Sequence, residues 1–136
     1  MIRLSPRLLK WSLAARDPIP NWTQGRISLL GDACHATLPF LAQGAVHSIE
    51  DGLVLARCLQ KYDDDPAQAL QRYEGARKER TSRMVRGATA NTGRFHSPEL
   101  AQEDTAERYL QREWSTEPIA DRYDWLYAYD AGAVEV

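Results

Sequence analysis

Apolar side chains recur at helical spacing across residues 45–62, and this period predicts an amphipathic helix. The apolar stripe of this helix comprises Val46, Ile49, Leu53, Ala56 and Leu59. The segment before it contains a proline and a glycine, so residues 33–44 are predicted to form a loop. The first helix is therefore expected to begin directly after this loop.

Two further helices are predicted beyond the first. An aspartate–proline pair at residues 65–66 can cap a helix and occupy its first position, so a second helix is expected over residues 67–89. A serine–proline pair at residues 97–98 repeats this arrangement and predicts a third helix that ends at about Trp114. The tail at residues 123–130 is rich in aromatic side chains, and we expect its rings to pack back on the protein.

The predicted strand content is small. Residues 26–30 are mostly apolar and stop at a Gly-Asp pair, which predicts a short buried strand that ends in a turn. A second strand is expected near residues 11–14, and two closely spaced prolines make residues 17–22 an extended connector. The predicted fold class is an α/β fragment with one or two strands followed by three helices, mostly α-helical in isolation.

A strand with apolar residues on both faces normally lies inside a parallel sheet that helices cover on both sides. One or two strands alone leave most of their backbone N–H and C=O groups unpaired. The chain is therefore predicted to be part of a larger α/β protein or half of a split one.

Composition narrows the class of protein. The 136 residues suffice for one domain and carry a formal net charge of −2, which argues against a general nucleic-acid binder. No apolar run approaches the roughly 20 residues that span a bilayer, and the N-terminus lacks the apolar stretch of a signal peptide. Two cysteines do not make a disulfide framework. We expect a cytoplasmic protein without nucleic-acid or membrane partners.

The segment that carries the candidate ligand-binding residues is residues 31–45. Asp32 follows the carboxyl end of the predicted strand, where α/β sheets bind ligands, and its carboxylate can accept hydrogen bonds from ribityl or ribose hydroxyls. Gly44 leads into a helix N-terminus, whose free N–H groups and partial positive charge of roughly half a unit suit a developing anion. A hydroxyl-binding carboxylate and an anion-stabilising helix end at this separation fit a bound flavin.

This segment resembles the second FAD-contacting motif of the class A flavoprotein monooxygenases, the group of salicylate hydroxylase and 3-hydroxybenzoate 6-hydroxylase. The resemblance covers nearly the whole chain and also rests on Trp11, residues 16–18, Trp22, residues 25–26, residues 55–57 and the closing residues 124–130. It implies the C-terminal portion of such an enzyme, with strands of a Rossmann-like FAD-binding sheet. Residues 1–24 would end the connection to the substrate domain, and residues 25–136 would form the C-terminal part of the FAD-binding domain with a helical tail.

The resemblance also implies roles for individual residues. Asp32 would bind the ribityl hydroxyls, Pro39 would lie beside the reactive face of the flavin, and Gln43 would face the flavin and touch the substrate. The implied catalytic residues are Pro39 and Gln43, no metal ligand is expected, and the implied cofactor-binding residues are Gly31, Asp32, Pro39, Gln43, Gly44, Ala45 and Val46. The implied reaction is hydroxylation of a small aromatic acid by a flavin C4a-hydroperoxide, with NAD(P)H as the reductant.

The sequence departs from the family pattern in two ways. Val46 stands where many members have Asn, so no flavin contact through this side chain is expected. The Gly-x-Gly-x-x-Gly segment that holds the FAD pyrophosphate does not occur, and most of the substrate-binding sheet is missing. We therefore expect the isolated chain to be inactive without the missing N-terminal half. The two partners considered are a separately encoded N-terminal FAD-binding half and, in a homo-oligomer, a second copy of this chain.

Other interpretations compete with the flavin hypothesis. The chain is a fragment of a longer monooxygenase, one half of a split enzyme, or a non-catalytic helical interaction module that retains the motif by descent. Cys34, His35 and His47 lack the spacing of metal ligands, so Cys34 is expected to be a small buried side chain and His35 a hydrogen-bonded loop residue. The basic residues of the second helix alternate with glutamates, which is typical of a solvated helix face.

Overall fold

The computed structural model describes residues 7–116 and 119–136. The elements are β1 (Thr23–Gln24), β2 (Ile27–Ser28), α1 (Asp32–His35), α2 (Gly44–Lys61), α3 (Pro66–Phe95), α4 (Glu103–Thr116) and α5 (Ile119–Tyr127), with 3₁₀ turns at Pro39–Leu41 and Pro98–Ala101. The prediction of a mostly helical fragment with few strands is confirmed. No helix in the described part of the chain is long and apolar enough to cross a membrane.

The two strands form an antiparallel hairpin in which Thr23 lies opposite Ser28. The strand predicted at residues 26–30 is therefore only two residues long, and it is not buried, because Ile27 is 73% exposed. The prediction of a second strand near residues 11–14 is wrong, since these described residues form no strand. A hairpin of this size offers no sheet face against which the apolar side chains can be buried.

The helix pair α2 and α3 forms the centre of the fold. The two helices pack antiparallel across a four-residue connection, and the Asp65 carboxylate caps α3 by accepting a hydrogen bond from the Gln68 N–H at 3.0 Å. The predicted cap is thereby confirmed. The buried core between these helices, the hairpin and the C-terminal tail consists of Trp22, Cys34, Val54, Cys58, Ala69, Tyr73 and Ala131.

The helix α3 continues beyond its predicted end at residue 89 as far as Phe95. Tertiary contacts hold this extension, because the Asn91 amide donates to the Phe40 carbonyl at 3.1 Å and the Tyr109 hydroxyl donates to the Arg94 carbonyl at 3.2 Å. Such contacts override weak local helix propensity. The predicted third helix is divided into a 3₁₀ turn and α4, and the predicted loop at residues 33–44 contains α1 and a 3₁₀ turn.

The apolar stripe that predicted α2 does not face the core. Four of its residues form what we call the outer stripe, and their side chains are 41–74% exposed: Val46, Ile49, Leu53 and Leu59. The face that packs on α3 instead carries His47, Asp51, Val54 and Cys58. Complete burial of a large apolar side chain is worth about 1.5–3 kcal/mol, and each of these partly exposed residues forgoes a share of that free energy. A contiguous apolar stripe of this kind marks a surface that another part of a protein covers.

The C-terminal tail packs back on the helix pair, as predicted. The Tyr129 hydroxyl accepts a hydrogen bond from Arg77 at 3.0 Å, and the Arg80 guanidinium lies 3.7 Å from the centre of the Tyr129 ring. Arg57 donates to the carbonyls of Ala131 and Val134 at 3.0 and 2.8 Å. Cation–π contacts and charge-assisted hydrogen bonds thus fix the tail.

Candidate functional site

A surface depression of about 360 Å³ lies between α1 and the N-terminus of α2. It is lined by Asp32, Thr37, Leu38, Pro39, Ala42, Gln43, Gly44, Ala45 and Ser48. Five of the seven residues implied to bind the cofactor therefore surround one space. Gly31 lies behind the lining, and Val46 lies outside it on the outer stripe.

Gly31 shapes the turn that presents Asp32. Its φ of 61° belongs to the left-handed region, and a Cβ at this position would lie only 2.9 Å from the Ser48 hydroxyl. Both constraints require glycine. The turn is held from outside by Arg16, whose guanidinium donates to the Ala33 carbonyl at 2.7 Å.

The Asp32 side chain is exposed at the edge of the depression. Its carboxylate makes no hydrogen bond or ion pair with any residue in the described ranges, while its backbone carbonyl accepts from Arg16. The acceptor oxygens of this carboxylate are therefore available to a ligand. Ribityl hydroxyls are donors that such a carboxylate can bind.

The α2 N-terminus supplies donors on the other side of the depression. Its first helical hydrogen bond runs from the His47 N–H to the Gln43 carbonyl at 2.9 Å. The N–H groups of residues 44–46 therefore have no acceptor within the described chain, and the Gln43 side chain does not cap them. Free N–H groups at the positive end of an 18-residue helix favour an anionic or electron-rich ligand edge.

A buried carboxylate, Asp51, supports the depression from inside the protein. It is fully buried and accepts hydrogen bonds from the Gly31 N–H at 3.2 Å, from His35 Nε2 at 2.6 Å and from Arg77 Nε at 2.7 Å. Burial alone would raise the pKa of Asp51, but the hydrogen bonds from His35 and Arg77 outweigh burial and lower that pKa. The ionised carboxylate thus ties the Gly31 turn to α3.

Arg77 and Arg80 complete this buried network. Arg77 donates to Glu50 at 2.7 Å and to His47 Nδ1 at 3.3 Å, and Arg80 holds Glu50 through two hydrogen bonds of 2.9 and 3.0 Å. The interpretation of these arginines as part of a solvated face is wrong, since Arg77 is fully buried and the Arg80 side chain is 9% exposed. Charged side chains are buried only when partners compensate them, and the adjacent acids of α2 are those partners.

The sequence contains a signal for this network that periodicity alone does not reveal. Glu50 and Asp51 are the two acidic residues of α2, and a short connection places the arginines of α3 opposite them. The Gly31 contact spans 20 residues and could be found only from the fold.

Cys34, His35 and Asp51 bring their ligating atoms within 4.8 Å of one another. Burial, followed by the charge of Asp51, raises the pKa of the Cys34 thiol to about 12, and this thiol donates to the Gly31 carbonyl at 3.2 Å. A metal would have to displace that proton and compete with Arg77 for the carboxylate. The expectations that Cys34 is buried and that His35 is hydrogen-bonded are confirmed.

Comparison with known proteins identifies the class that this arrangement represents. Residues 9–88 match the FAD binding domain family. The match covers more than half of the chain, and the chain therefore belongs to the FAD-binding domain family of the class A flavin monooxygenases.

Three relatives illustrate the similarity. The chain is 39% identical over 124 residues to 3-amino-4-hydroxybenzoate 2-monooxygenase of Streptomyces platensis. This alignment covers 91% of this chain and 30% of that protein. The chain is 47% identical over 95 residues to 6-hydroxynicotinate 3-monooxygenase of Pseudomonas fluorescens, covering 68% of this chain and 24% of the relative. It is 35% identical over 130 residues to 3-hydroxybenzoate 6-hydroxylase 2 of Aquipseudomonas alcaligenes, covering 96% and 40% respectively. The chain thus spans 24–40% of the length of these relatives.

We predict that Gly31→Ala lowers the free energy of unfolding by about 1–3 kcal/mol, because alanine is strained at this φ and its methyl group collides with Ser48. Urea unfolding monitored by circular dichroism measures the change. Gly75→Ala is the matched control, since Gly75 lies within α3 with open space around it; it should stabilise the protein by roughly 0.5–1 kcal/mol. Equal effects of the two substitutions would contradict the assigned role of Gly31.

A second prediction concerns pH. Burial, aided by Arg80 and Arg77 and only partly opposed by Glu50, lowers the pKa of His47 from its ordinary 6.5 to about 4. Between these values the unfolded chain binds more protons than the folded one, so the free energy of unfolding falls as the pH drops from 6.5 to 4. The loss reaches about 3 kcal/mol at most, from roughly 1.4 kcal/mol per pKa unit.

Urea titrations at several pH values test this, with His47→Gln as the comparison. Glutamine does not titrate, so the variant should lose less stability across this interval. Glu50 and Asp51, whose pKa values are lowered from 4.5 and 3.8, add their own loss from about pH 5 downward, so the His47 contribution is read from the slope between pH 6.5 and about pH 5. The same slope in both proteins would show that His47 is not the titrating group.

Proposed function

We propose that this chain holds the ribityl chain and the pyrimidine edge of FAD in a flavin-dependent monooxygenase, and that the complete enzyme hydroxylates a small aromatic acid using NAD(P)H and O₂. The observation that carries the proposal is the pairing of a free carboxylate with a free helix N-terminus across one depression. The names of the relatives, hydroxylases of hydroxybenzoates and of hydroxynicotinate, support the substrate class.

The residues present fit this cofactor. Asp32 offers acceptor oxygens for the ribityl hydroxyls, and Gly31 keeps the backbone behind it free of a Cβ that would collide with Ser48. The N–H groups of residues 44–46 would stabilise negative charge at the pyrimidine edge. When bound, the flavin supplies the oxygen-activating chemistry.

Pro39 and Gln43 are the residues that would face the reacting substrate. Pro39 begins a 3₁₀ turn and is exposed to the depression, and Ala42 closes that turn in the left-handed conformation with its N–H bonded to the Pro39 carbonyl at 3.0 Å. Gln43 is a buried residue, 8% exposed, that lines the same space. Their proposed roles are to shape the substrate side of the depression and, for Gln43, to orient the substrate.

The outer stripe is the proposed contact surface for the rest of the enzyme. Its four exposed apolar residues lie on the face of α2 directed away from α3. We propose that the remainder of the FAD-binding domain, with its pyrophosphate-binding segment, covers this face in a complete or reconstituted enzyme. The chain supplies one side of the cofactor site and requires that portion for turnover.

The test is a titration with FAD followed by flavin fluorescence, on the purified chain and on the chain reconstituted with the pyrophosphate-binding portion. Asp32→Ala should weaken FAD binding by about 1–3 kcal/mol, or roughly 5–150-fold, because charge-assisted hydrogen bonds are lost. The control Asp63→Ala removes an exposed aspartate that does not line the depression and should leave the affinity unchanged.

Unchanged FAD affinity in Asp32→Ala would refute the role of Asp32. A folded chain that binds no FAD in either preparation would favour the alternative function, a non-catalytic helical interaction module that retains the motif by descent.

A further inference from the structure

A second cavity, of about 380 Å³, lies between α3 and residues 122–125. Its lining shares no residue with the flavin depression, although Leu41 of the 3₁₀ turn contributes to one wall. Four of the lining side chains are guanidinium groups: Arg83, Arg86, Arg94 and Arg122. Among the described lining residues, the one acid is Glu79. The cavity therefore has a strong excess of positive charge.

Two of the four arginines, Arg94 and Arg122, already contact other side chains of the protein. Arg94 donates to the Asn91 side-chain oxygen at 2.8 Å and lies 3.4 Å from a Glu113 carboxylate oxygen. Arg122 lies 3.9 Å from the same carboxylate. Glu113 thus neutralises part of this side of the cavity, and Arg94 and Arg122 form its fixed wall.

Arg83 and Arg86 differ from the arginines that precede them on α3. Arg80 and Arg77, about one and two turns before Arg83, are paired with the carboxylates of Glu50 and Asp51. In contrast, Arg83 and Arg86 have no acidic partner within 4.0 Å in the described part of the chain. Like charges three residues apart on a helix repel each other, and an anion bound between them would relieve that repulsion.

The Arg83 guanidinium is held in place before any ligand binds. It lies 4.0 Å from the centre of the Trp125 ring, and the Trp125 indole N–H is fixed by a hydrogen bond to the Arg122 carbonyl at 2.8 Å. A stacked guanidinium keeps its N–H edges free and loses little conformational entropy on binding. Its planar set of donors matches the two oxygens of a carboxylate or a phosphate.

We propose that this cavity binds a small organic anion, a carboxylate or a phosphate monoester, through Arg83 and Arg86. The two guanidinium groups bind the anionic oxygens, while Leu41 and Trp125 provide apolar walls for the attached organic group. The site is separate from the flavin depression, so its occupancy does not depend on FAD.

Isothermal titration calorimetry of the full chain at low ionic strength, without FAD, tests the proposal. Benzoate is the carboxylate probe, and phenyl phosphate is the phosphate probe. The double variant Arg83→Gln/Arg86→Gln should lose at least tenfold in affinity for whichever probe binds, and added salt should weaken binding to the native chain. Arg108→Gln, which removes an exposed arginine of α4 that does not line the cavity, should change the affinity less than twofold.

The single variant Arg86→Gln is included in case the double variant does not fold. Arg86 is exposed and its substitution disturbs no described contact, so this variant should fold normally. It should still reduce the affinity for the bound probe at least threefold. Binding of benzoate alone would assign the site to carboxylates, and binding of phenyl phosphate alone would assign it to phosphates. The proposal is overturned if neither probe binds saturably, or if the folded arginine variants bind as tightly as the native chain. Asp32→Ala should leave this binding unchanged, which separates the outcome from that of the FAD titration.

Discussion

The Asp51 carboxylate accepts hydrogen bonds from the Gly31 turn, from His35 in α1 and from Arg77 in α3, and all three partners lie outside its own helix. A buried charge is tolerated only when its partners compensate the loss of hydration, and removing one member of such a pair typically costs about 3–5 kcal/mol. The arrangement therefore couples the turn that presents Asp32 to the central helix pair, α2 and α3. The geometry of the depression beside Asp32 therefore depends on a residue that does not line it.

This coupling explains why a polar face of α2 is buried while an apolar face is exposed. The inner face is held on α3 by ion pairs of 2.7–2.9 Å, and it does not need the outer stripe for packing. The outer stripe remains exposed in a chain that spans 24–40% of the length of the relatives it matches. Charge pairing organises the inside of the chain, and the proposed function assigns the exposed apolar surface to contact with the remainder of the FAD-binding domain.

Sequence patterns predicted those features that depend on local rules. The α2 boundaries to within one residue, the Asp65 cap and the position of Asp32, Pro39 and residues 43–45 around one space follow from periodicity, capping and motif. The orientation of α2 could not be predicted in this way, because periodicity detects a stripe without showing what packs against it. The burial of Arg77 cannot be predicted from the sequence for the same reason, since alternation with glutamates is typical of a solvated face and the partners of Arg77 lie on another helix.

Amide hydrogen exchange at Gly31 in Asp51→Asn tests the central claim most directly. In the native chain one carboxylate oxygen of Asp51 accepts from Arg77 and the other accepts from the Gly31 N–H. Asparagine has only one acceptor oxygen, and the permanently charged Arg77 should donate to it. The asparagine NH₂ group then faces the Gly31 N–H, so that this hydrogen bond is lost. The account predicts that exchange at Gly31 accelerates more than exchange at Ala88, a fully buried residue of α3 in the same sample. Equal acceleration at both amides would contradict it, because Asp51 would then contribute only to global stability.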